Sequence, residues 1–435
     1  MIRPKMPFFL SIFLLGCSVV GLFAQEPDHR VTLKQAIDQS RSHPSVQARN
    51  WALESAKASR DLIHGQLTKP TVQVQGSYNS RSESFSIDTP IGSFEMGDRT
   101  GYQVEATAVQ PLYSPGGRGQ RLPAADEDVI SFRHSYEQAA QDQAQTVAQT
   151  FFNLLETESR IEVLERYIAN LERRHRETVS MVELGRLLHT DSLKVEIAHE
   201  EARFQLFQLE ESRGVLTLQL GFLINESGPV QPRWNLDSAL PKLPDAPDPL
   251  DAQSLNARND LQALNRRAHS LKLQAKATAK EALPRVDGIV RYSHSDGEAF
   301  GLDSLFEARL QVKWSPFEAG TRSKRIAKLK AEERALVSQK NALESALNLG
   351  LTAAYSELKT AQRAIDLARR NVDLADETLR VERERYLKQR TTANDLLESE
   401  LAVFEQESNF TLAQIQYLRS YFNFNYAKGR IWTGG

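Results

Sequence analysis

The chain has 435 residues, enough for several domains, and its 40% hydrophobic and 25% charged residues are typical of a folded protein. Its 54 Lys and Arg nearly balance its 56 Asp and Glu, and the net charge of −2 gives no electrostatic case for nucleic acid as a partner. The single cysteine, Cys17, excludes a disulfide framework and a cysteine-based zinc site. After the N-terminus no apolar run reaches ~18 residues, which excludes a bundle of membrane-spanning helices.

Residues 1–24 have the pattern of a secretory signal peptide. Two cations lie in the first five residues, the stretch from Phe8 to Phe23 is mostly apolar, and the small residue Ala24 precedes polar sequence. A membrane anchor is the alternative, but serines and glycines interrupt the short apolar stretch. Leu14–Cys17 also resembles the lipobox of bacterial lipoproteins, which makes Cys17 an alternative lipid attachment site. Apolar sequence continues past Cys17, which favours cleavage after Ala24.

The rest of the chain contains one series of segments twice. Lys69-Pro70 and Leu283-Pro284 each end a helical segment and precede an alternating one, 214 residues apart. Beyond these segments the offset falls to 205 and settles at 204, which a second hairpin shorter by nine residues explains. The shared order indicates a duplication. The repeats occupy 25–224 and 257–435, and the proline-rich segment 225–256 is predicted to link them.

Each repeat contains two strands of alternating character, at about 71–113 and about 286–316, and each pair predicts a β-hairpin. In the clearest strand, 306–314, the apolar residues Phe, Ala, Leu, Val and Trp alternate with Glu, Arg, Gln and Lys. This period puts all apolar groups on one face of a sheet and all charges on the other. One such strand would fit a sheet that covers a soluble core. Four of them in an exported chain favour a transmembrane β-barrel.

The segments at about 124–223 and about 322–428 each predict a long antiparallel helical hairpin. Neither contains a proline, and apolar residues recur every three or four positions. The turns are predicted where the apolar pattern breaks, and Asp191 and Asp395 are predicted to cap the returning helices. The longer arm of each hairpin, with roughly 60 residues, would span ~90 Å, which is longer than a single globular domain.

The strand count predicts an assembly of several chains. A barrel in lipid must close, because an open edge leaves backbone groups without hydrogen bonds, and single-chain barrels begin at about eight strands. Two copies of four strands would give a barrel filled by its own side chains, whereas twelve strands from three copies leave a lumen. A conduit therefore predicts a homotrimer.

Several short motifs, duplicated in a fixed order, identify a family. They are His43–Ala48, Pro111–Tyr113 followed by Gly116–Arg118, Pro316-Phe317 followed by Ala319-Gly320, and the two hairpin turns. In this order they resemble the outer-membrane efflux proteins, the TolC-like family, over essentially all of the mature chain. The chain departs from the family pattern at Gln389, where the second turn usually has glycine, whereas Gly185 keeps the glycine of the first turn.

The resemblance implies an α + β membrane protein built from a duplicated helix-strand-strand-long-helical-hairpin unit. Three chains, each with four β-strands, would form a 12-stranded transmembrane β-barrel in the outer membrane, in contact with its lipid. A long α-helical coiled-coil barrel would continue it into the periplasm. The implied partners are a periplasmic adaptor (membrane fusion) protein and an inner-membrane transporter, and the implied function is a passive exit duct for efflux or type I secretion.

Two acidic residues match family positions at the periplasmic entrance. Asp395 and Glu398 are three residues apart, so both carboxylates lie on one helical face. In a trimer they would form a ring of six carboxylates, which favours cations, and mutual repulsion is expected to raise their pKa values. The alternative is that they only complement the positive end of the helix dipole.

Three residues, Thr190, Asp191 and Tyr386, match positions at which the family holds its entrance shut. The family's partner arginine aligns with Thr391, and the adjacent Arg390 is expected to replace it. A phenol, a carboxylate and a guanidinium would form a latch through charge-assisted hydrogen bonds. The alternative is that these are solvated turn residues.

Catalytic motifs are missing, so we predict neither an enzyme nor a cofactor or metal. His199-Glu200 begins like a metalloprotease helix, but Arg203 replaces the second ligand. Gly116–Gly119 lacks the lysine of a phosphate-binding loop. The alternative function is a non-conducting periplasmic scaffold whose coiled coils tether the layers of the envelope. The sequence leaves the transported substrate open.

Overall fold

The computed structural model describes residues 29–83, 85–96, 98–185, 187–234, 239–246, 258–296, 304–388 and 390–433. The predicted signal peptide at 1–24, including Cys17, lies outside the described residues, and so does Gln389. The signal peptide and the lipid attachment therefore stay predictions.

The described elements repeat one series, as the sequence predicted. In chain order they are β1 (Arg30–Val31), α1 (Leu33–Ser40), α2 (Pro44–Thr68), β2 (Thr71–Ser80), β3 (Phe85–Thr89), β4 (Gly92–Met96), β5 (Thr100–Tyr113), α3 (Leu122–Glu183), α4 (His189–Leu223), β6 (Gln231–Pro232), α5 (Asn259–Lys280), β7 (Arg285–Asp296), β8 (Ser304–Lys313), α6 (Thr321–Leu387) and α7 (Ala393–Ala427). The series α2-β2-β5-α3-α4 corresponds to α5-β7-β8-α6-α7.

Four strands form one antiparallel sheet in the order β2-β5-β7-β8. Its register aligns the apolar residues in rows across the sheet, since Tyr78 pairs with Tyr102 and Tyr292 pairs with Phe306. These side chains are exposed in the single chain, as Leu310 on the same face is at 73%. The predicted two-faced sheet is confirmed, and its apolar face has no cover within the described chain.

The opposite face of the sheet is polar. Glu105 on β5 and Arg291 on β7 form an ion pair of 3.3 Å, and Thr107 donates a hydrogen bond of 2.8 Å to Glu105. Charged side chains that remain partly exposed, as these do, suit a surface in contact with water. The sheet thus has the polarity of a wall between an apolar and an aqueous phase.

A second hairpin, β3–β4, extends beyond the main sheet and was missed from the sequence. Its two strands pair antiparallel from Phe85↔Met96 to Thr89↔Gly92. Strands of five residues are too short to establish a period, and the sequence around them is rich in Ser, Asp and Glu. A tight turn at Pro90-Ile91 joins them, with Gly92 at φ 135.

Two equivalent elbows lead from the sheet into the long helices. Gly116 and Gly320 have φ of 74 and 76, in the left-handed region that favours glycine. At Gly116 an added Cβ would lie 2.9 Å from the carbonyl oxygen of Ala277, so the elbow also needs glycine to approach α5. A π-helical turn at Gly117–Arg121 then leads into α3. The glycine at position 116 therefore allows the change of chain direction between β5 and α3.

The helices form a layer that is four helices wide both near the sheet and far from it. Near the sheet the neighbours are α2–α3–α5–α6, and farther away they are α4–α3–α7–α6. The α3 helix has 62 residues and α6 has 67, so they extend ~93 and ~100 Å. The helices follow one another in the layer in the same repeat order as the strands in the sheet. In both the layer and the sheet, one edge therefore belongs to the first repeat and the other edge to the second. Among the described helices, none has the length and apolar composition needed to cross a membrane.

The central core lies where both repeats meet the linker. Phe151 and Phe152 of α3 pack edge-to-face against Trp234, and Phe152 also contacts Phe422 of α7. The C-terminal Trp432 packs against Trp234 from the other side. The described part of the linker is therefore part of the core, where the sequence predicted only a connection.

Two further contacts fix the linker to the helices. The Tyr417 hydroxyl donates a hydrogen bond of 2.7 Å to the carbonyl of Pro241, and β6 pairs in parallel with β1. The linker therefore accepts at Pro241, a residue without a backbone donor, and donates at Gln231 and Arg233, whose N–H groups bond to the carbonyls of His29 and Val31.

Candidate functional site at the hairpin tips

The first hairpin turns between α3 and α4 at Leu184–Leu188. Gly185 has φ 69, which is the left-handed conformation that ends many helices. The α4 helix begins at His189, and its N-cap residue, Leu188, has no side chain hydrogen bond to offer. Asp191 is thus the third residue of the helix, and the prediction that it caps α4 is wrong. Its carboxylate still lies in the first turn, 3.8 Å from Lys194.

The second hairpin is capped by a threonine. The Thr392 side chain accepts a hydrogen bond from the backbone N–H of Asp395, at 3.2 Å, and the Thr392 N–H donates one of 2.9 Å to the Asp395 carboxylate. This reciprocal arrangement is a capping box. The predicted N-cap at Asp395 is therefore wrong by three residues. The Thr-x-x-Asp spacing was visible in the sequence and would have placed the cap correctly.

The same hydrogen bonds change the acidity of Asp395. The Thr392 backbone N–H, the Thr392 hydroxyl and the Thr391 hydroxyl all bond to its carboxylate, and they lower its pKa to about 2. The sequence predicted a raised pKa from crowding in a ring. Within the single chain the opposite holds, because donors stabilise the charged form.

Both predicted ring residues are exposed. Leu396, Ser399 and Glu400 form the buried face of α7 next to the tip. Asp395 and Glu398 lie outside this face and are exposed. The two carboxylates are therefore available to a lumen. Their role in an entrance ring stays a prediction.

The predicted latch is not assembled within one chain. Thr190 and Asp191 lie at the first tip, whereas Tyr386 and Arg390 lie at the second. In the described part of the chain no hydrogen bond or ion pair joins one tip residue to the other, and the Arg390 N–H bonds to the carbonyl of Arg385 at 2.9 Å. A latch of these residues would have to connect hairpins of neighbouring copies, and it stays a prediction.

Three exposed leucines lie at the two turns. Leu184, Leu188 and Leu387 are 67%, 71% and 77% exposed, which is high for residues of this size. Leu184 and Leu188 belong to the same turn, and apolar side chains grouped on a surface are typical of an interaction site. They were not predicted from the sequence, because isolated leucines in a turn form no periodic pattern.

Three ion pairs between α3 and α7 were also missed. Arg174 pairs with Glu400, Arg166 is 3.3 Å from Glu407, and Arg419 is 2.9 Å from Glu156. The Arg174 and Glu400 side chains are only 15% and 9% exposed. Their charges match only when two distant segments are aligned antiparallel, and no pattern in the sequence indicates that α3 pairs with α7.

The remaining motif, His199-Glu200, has ordinary neighbours. The His199 ring lies 3.3 Å from Glu200 and 3.7 Å from Glu172 of α3. Among the described residues, no group of three or more His, Cys, Asp or Glu is arranged to hold a metal ion.

The comparisons with known proteins bear on the sheet and the long helical layer together. Residues 36–226, which include most of the first repeat, match the family model described as outer membrane efflux protein. The resemblance predicted from the sequence is confirmed, and so is the location in the outer membrane, from which the helices extend into the periplasm. No curated protein matches the chain significantly in sequence.

Solved structures of channels have the same fold. A CusC structure, described in connection with transmembrane channel formation, is 14% identical, with 92% of each chain covered and a TM-score of 0.77. The Campylobacter jejuni CmeC outer membrane channel is 14% identical, with 98% of this chain and 94% of that chain covered and a TM-score of 0.76. The open Neisseria gonorrhoeae MtrE channel is 18% identical, with 92% and 89% covered and a TM-score of 0.75.

These likenesses confirm the predicted fold class. The family match and the channel folds support an efflux-channel role in the outer membrane, and the proteins compared are channels rather than enzymes.

Proposed function

We propose that three copies of the chain form a passive exit duct that crosses the outer membrane and continues through the periplasm. An inner-membrane transporter would deliver substrates to it through a periplasmic adaptor. The observation that carries this proposal is the four-stranded sheet with one apolar face, one polar face and two unpaired edges. In lipid such edges must be paired, so the sheet needs further copies to close.

The two edges suit a ring. β2 and β8 run in opposite directions, so β8 of one copy would meet β2 of the next as an antiparallel pair. Because the two edges differ, the contact is head-to-tail, and repeated head-to-tail contacts close into rings. Three copies give twelve strands, an even number wide enough for a lumen.

The helical layer supports the same assembly. Its outer helices, α4 and α6, carry large apolar side chains that nothing in the described chain covers. On α6 three of them follow a seven-residue spacing, with Leu367 at 61%, Leu374 at 67% and Val381 at 40% exposure. On α4 Phe204 and Phe207 are 61% and 56% exposed. Seams at this spacing are typical of coiled coils, so α4 of one copy would pack on α6 of the next.

Aromatic residues mark both ends of the apolar band. Phe306 lies near one end of β8 and Trp314 just beyond the other, and both are more than half exposed. Eight residues of strand span ~27 Å, which becomes ~20 Å at a tilt near 40° and is comparable with the ~25 Å band of barrel proteins. A bulge after Pro111 places Tyr113 opposite Val286 on the apolar face, beside the Trp314 end. The Trp314 indole donates to the carbonyl of Ala282 at 2.9 Å, as expected at an interface.

The adaptor would dock at the hairpin tips. Leu184, Leu188 and Leu387 supply an apolar contact there, and the charged residues around them supply a polar rim. The substrate class is left open, because the polar face of the sheet presents both acids and bases.

Two measurements test the proposed duct, namely the oligomeric state of the chain and its conductance in a membrane. Native mass spectrometry of the detergent-solubilised chain should give a trimer, and planar bilayers should show discrete conductance steps. A stable monomer that still inserts into membranes would contradict the proposed assembly. A trimer without conductance would favour the tethering scaffold.

The latch predicts a conductance change. Replacing Tyr386 by Phe together with Arg390 by Ser removes hydrogen-bonding groups from the tip and leaves the coiled-coil seams intact, so the single-channel conductance should rise severalfold. Arg383→Ser, which removes the same charge two turns higher on α6, is the matched control and should conduct like the wild type. If the double variant also conducts like the wild type, the latch assignment is wrong.

The acidic ring predicts selectivity. Asp395→Asn with Glu398→Gln should lower the cation preference that reversal potentials in a salt gradient measure, because the focused negative field is lost. Unchanged selectivity would mean that the two acids serve only the helix start.

The pKa of Asp395 determines how the cation preference should depend on pH. Because it is lowered to about 2, the carboxylate stabilises the folded tip at pH values above about 4, and this contribution is lost as the pH falls towards 2. The Asp395 part of the cation preference should therefore persist at pH 4. Thr392→Ala removes one of the donors and should shift this loss to higher pH. Loss of the whole preference well above pH 4 in the wild type would contradict the hydrogen-bonded tip.

A further inference from the structure

A cavity of about 360 Å³ lies at the elbow between β5 and α3. The end of α2, the end of α5 and the turn after β5 enclose it, and its lining includes Leu67, Leu112, Tyr113, Arg118, Lys280 and Leu283. Strand β5 is flanked by β2 and β7 of the same chain. The cavity therefore adjoins an inner strand, so pairing of the β2 and β8 edges between copies would not use its backbone.

The duplication shows what is unusual about Arg118. Its counterpart, Arg322, lies 204 residues later and donates a hydrogen bond of 2.8 Å to Glu318, so its charge is neutralised. Among the described residues, Arg118 donates a hydrogen bond only to the backbone carbonyl of Leu67, at 3.3 Å. The first elbow has no carboxylate where the second has Glu318, and among the described residues Arg118 forms no ion pair.

A second cation lines the same cavity. The exposed Lys280 side chain forms no hydrogen bond or ion pair with another described residue. The neighbouring acid, Glu281, is already paired with Arg121 and Arg325. Two positive charges thus share one concave site without a counter-charge from the described chain.

The rim of the cavity belongs to the apolar side of the sheet. Tyr113 is opposite Val286, and Leu112 approaches the position above Gly288, both on the apolar face. Leu112, Tyr113 and Leu283 are 57%, 51% and 47% exposed. A molecule held by the two cations would therefore have an apolar surface beside it.

We infer that this cavity binds the phosphate of an anionic phospholipid in the periplasmic leaflet, with the acyl chains against Leu112, Tyr113 and Leu283. This inference rests on the membrane placement proposed above. Phosphate suits two convergent cations, and basic pockets at a membrane surface commonly hold lipid headgroups. Free phosphate would use the cations but not the apolar rim, which is why a lipid is the occupant we assign.

The experiment measures lipid binding to the delipidated full-length chain by native mass spectrometry. The probes are phosphatidylglycerol and phosphatidylcholine with the same acyl chains. The wild type should prefer phosphatidylglycerol. Arg118→Gln with Lys280→Gln should weaken that binding roughly thirtyfold, about fivefold for each cation removed.

Three further variants separate binding from folding. Lys272→Gln with Lys276→Gln removes two exposed cations from the same helix, α5, and should bind within about twofold of the wild type. Lys280→Gln alone changes a side chain that forms no hydrogen bond or ion pair with another described residue, and it should weaken binding about fivefold. Arg118→Lys keeps the charge and should retain most of the binding.

Equal binding by the wild type and the Arg118/Lys280 double variant would overturn the inference, and so would equal binding of the two lipids. Displacement of the lipid by millimolar inorganic phosphate would identify a free anion as the ligand instead. Lipid binding is scored whatever the oligomeric state. A conducting trimer without lipid preference would contradict this inference alone, whereas a selective but non-conducting chain would contradict the proposed function.

Discussion

Replacing Leu310 by lysine should prevent most of the protein from assembling in the outer membrane. Leu310 lies midway between Phe306 and Trp314 on the apolar face of β8 and is 73% exposed. A lysine near the middle of a barrel's lipid face costs about 2–4 kcal/mol. A trimer carries the substitution three times, so the penalty approaches the whole stability of many domains. The measurement is the yield of heat-modifiable trimer in outer-membrane fractions.

The matched control is Gln311→Lys on the next residue. Gln311 belongs to the polar face, and its partner in register is Asp287, which already pairs with Arg285 at 2.8 Å, so a lysine there enters a polar neighbourhood that holds both charges. Assembly should be close to that of the wild type. Equal loss in both variants would mean that the faces are assigned wrongly, and normal assembly of both would mean that this sheet is not in lipid.

Breaking the ion pair between Arg174 and Glu400 should destabilise the helical layer strongly. Both side chains are largely buried, and Arg174→Met would leave the Glu400 carboxylate without its partner. Removal of one member of a buried pair costs about 3–5 kcal/mol, because a charge is left in a poorly solvated place. The Tm from circular dichroism should fall accordingly.

The control removes both charges. Arg174→Met with Glu400→Leu should regain most of the lost stability, since apolar replacements of a buried pair are often neutral. Glu177 also pairs with Arg174, at 3.3 Å, but is 65% exposed, so Glu177→Gln should change stability by less than about 1 kcal/mol. If the single Arg174 variant is as stable as the wild type, α3 and α7 are held together by their apolar contacts.

Features with a regular period were predictable from the sequence. The alternation in 306–314 placed the face of a strand correctly, because a period of two leaves only one choice of face. The same holds for the long helices, whose apolar seams and turns the structure reproduces. Comparison of the two repeats added the equivalence of the elbows, which neither copy shows alone.

Features that depend on neighbours distant in sequence were not predictable in this way. Arg174 and Glu400 are separated by 226 residues and belong to different repeats. The linker was predicted as a plain connection, because nothing in its prolines shows that Tyr417 donates a hydrogen bond to one of their carbonyls. The helix starts at the tips failed for a different reason. Asp191 and Asp395 are good capping residues, but helices began earlier, and at Thr392 a hydroxyl took the capping position.

The strand order has a consequence for the origin of the assembly. β5 and β7 join the two repeats within one chain through the same antiparallel contact that β8 and β2 would make between copies. Six half-length chains, each with one β-hairpin and one helical hairpin, would build the same ring. Fusion of two halves reduces the number of molecules that must meet from six to three. Fusion also allows equivalent positions in the two halves to diverge. Arg118 and Arg322 are such a pair, since one bonds to a backbone carbonyl and the other to a carboxylate.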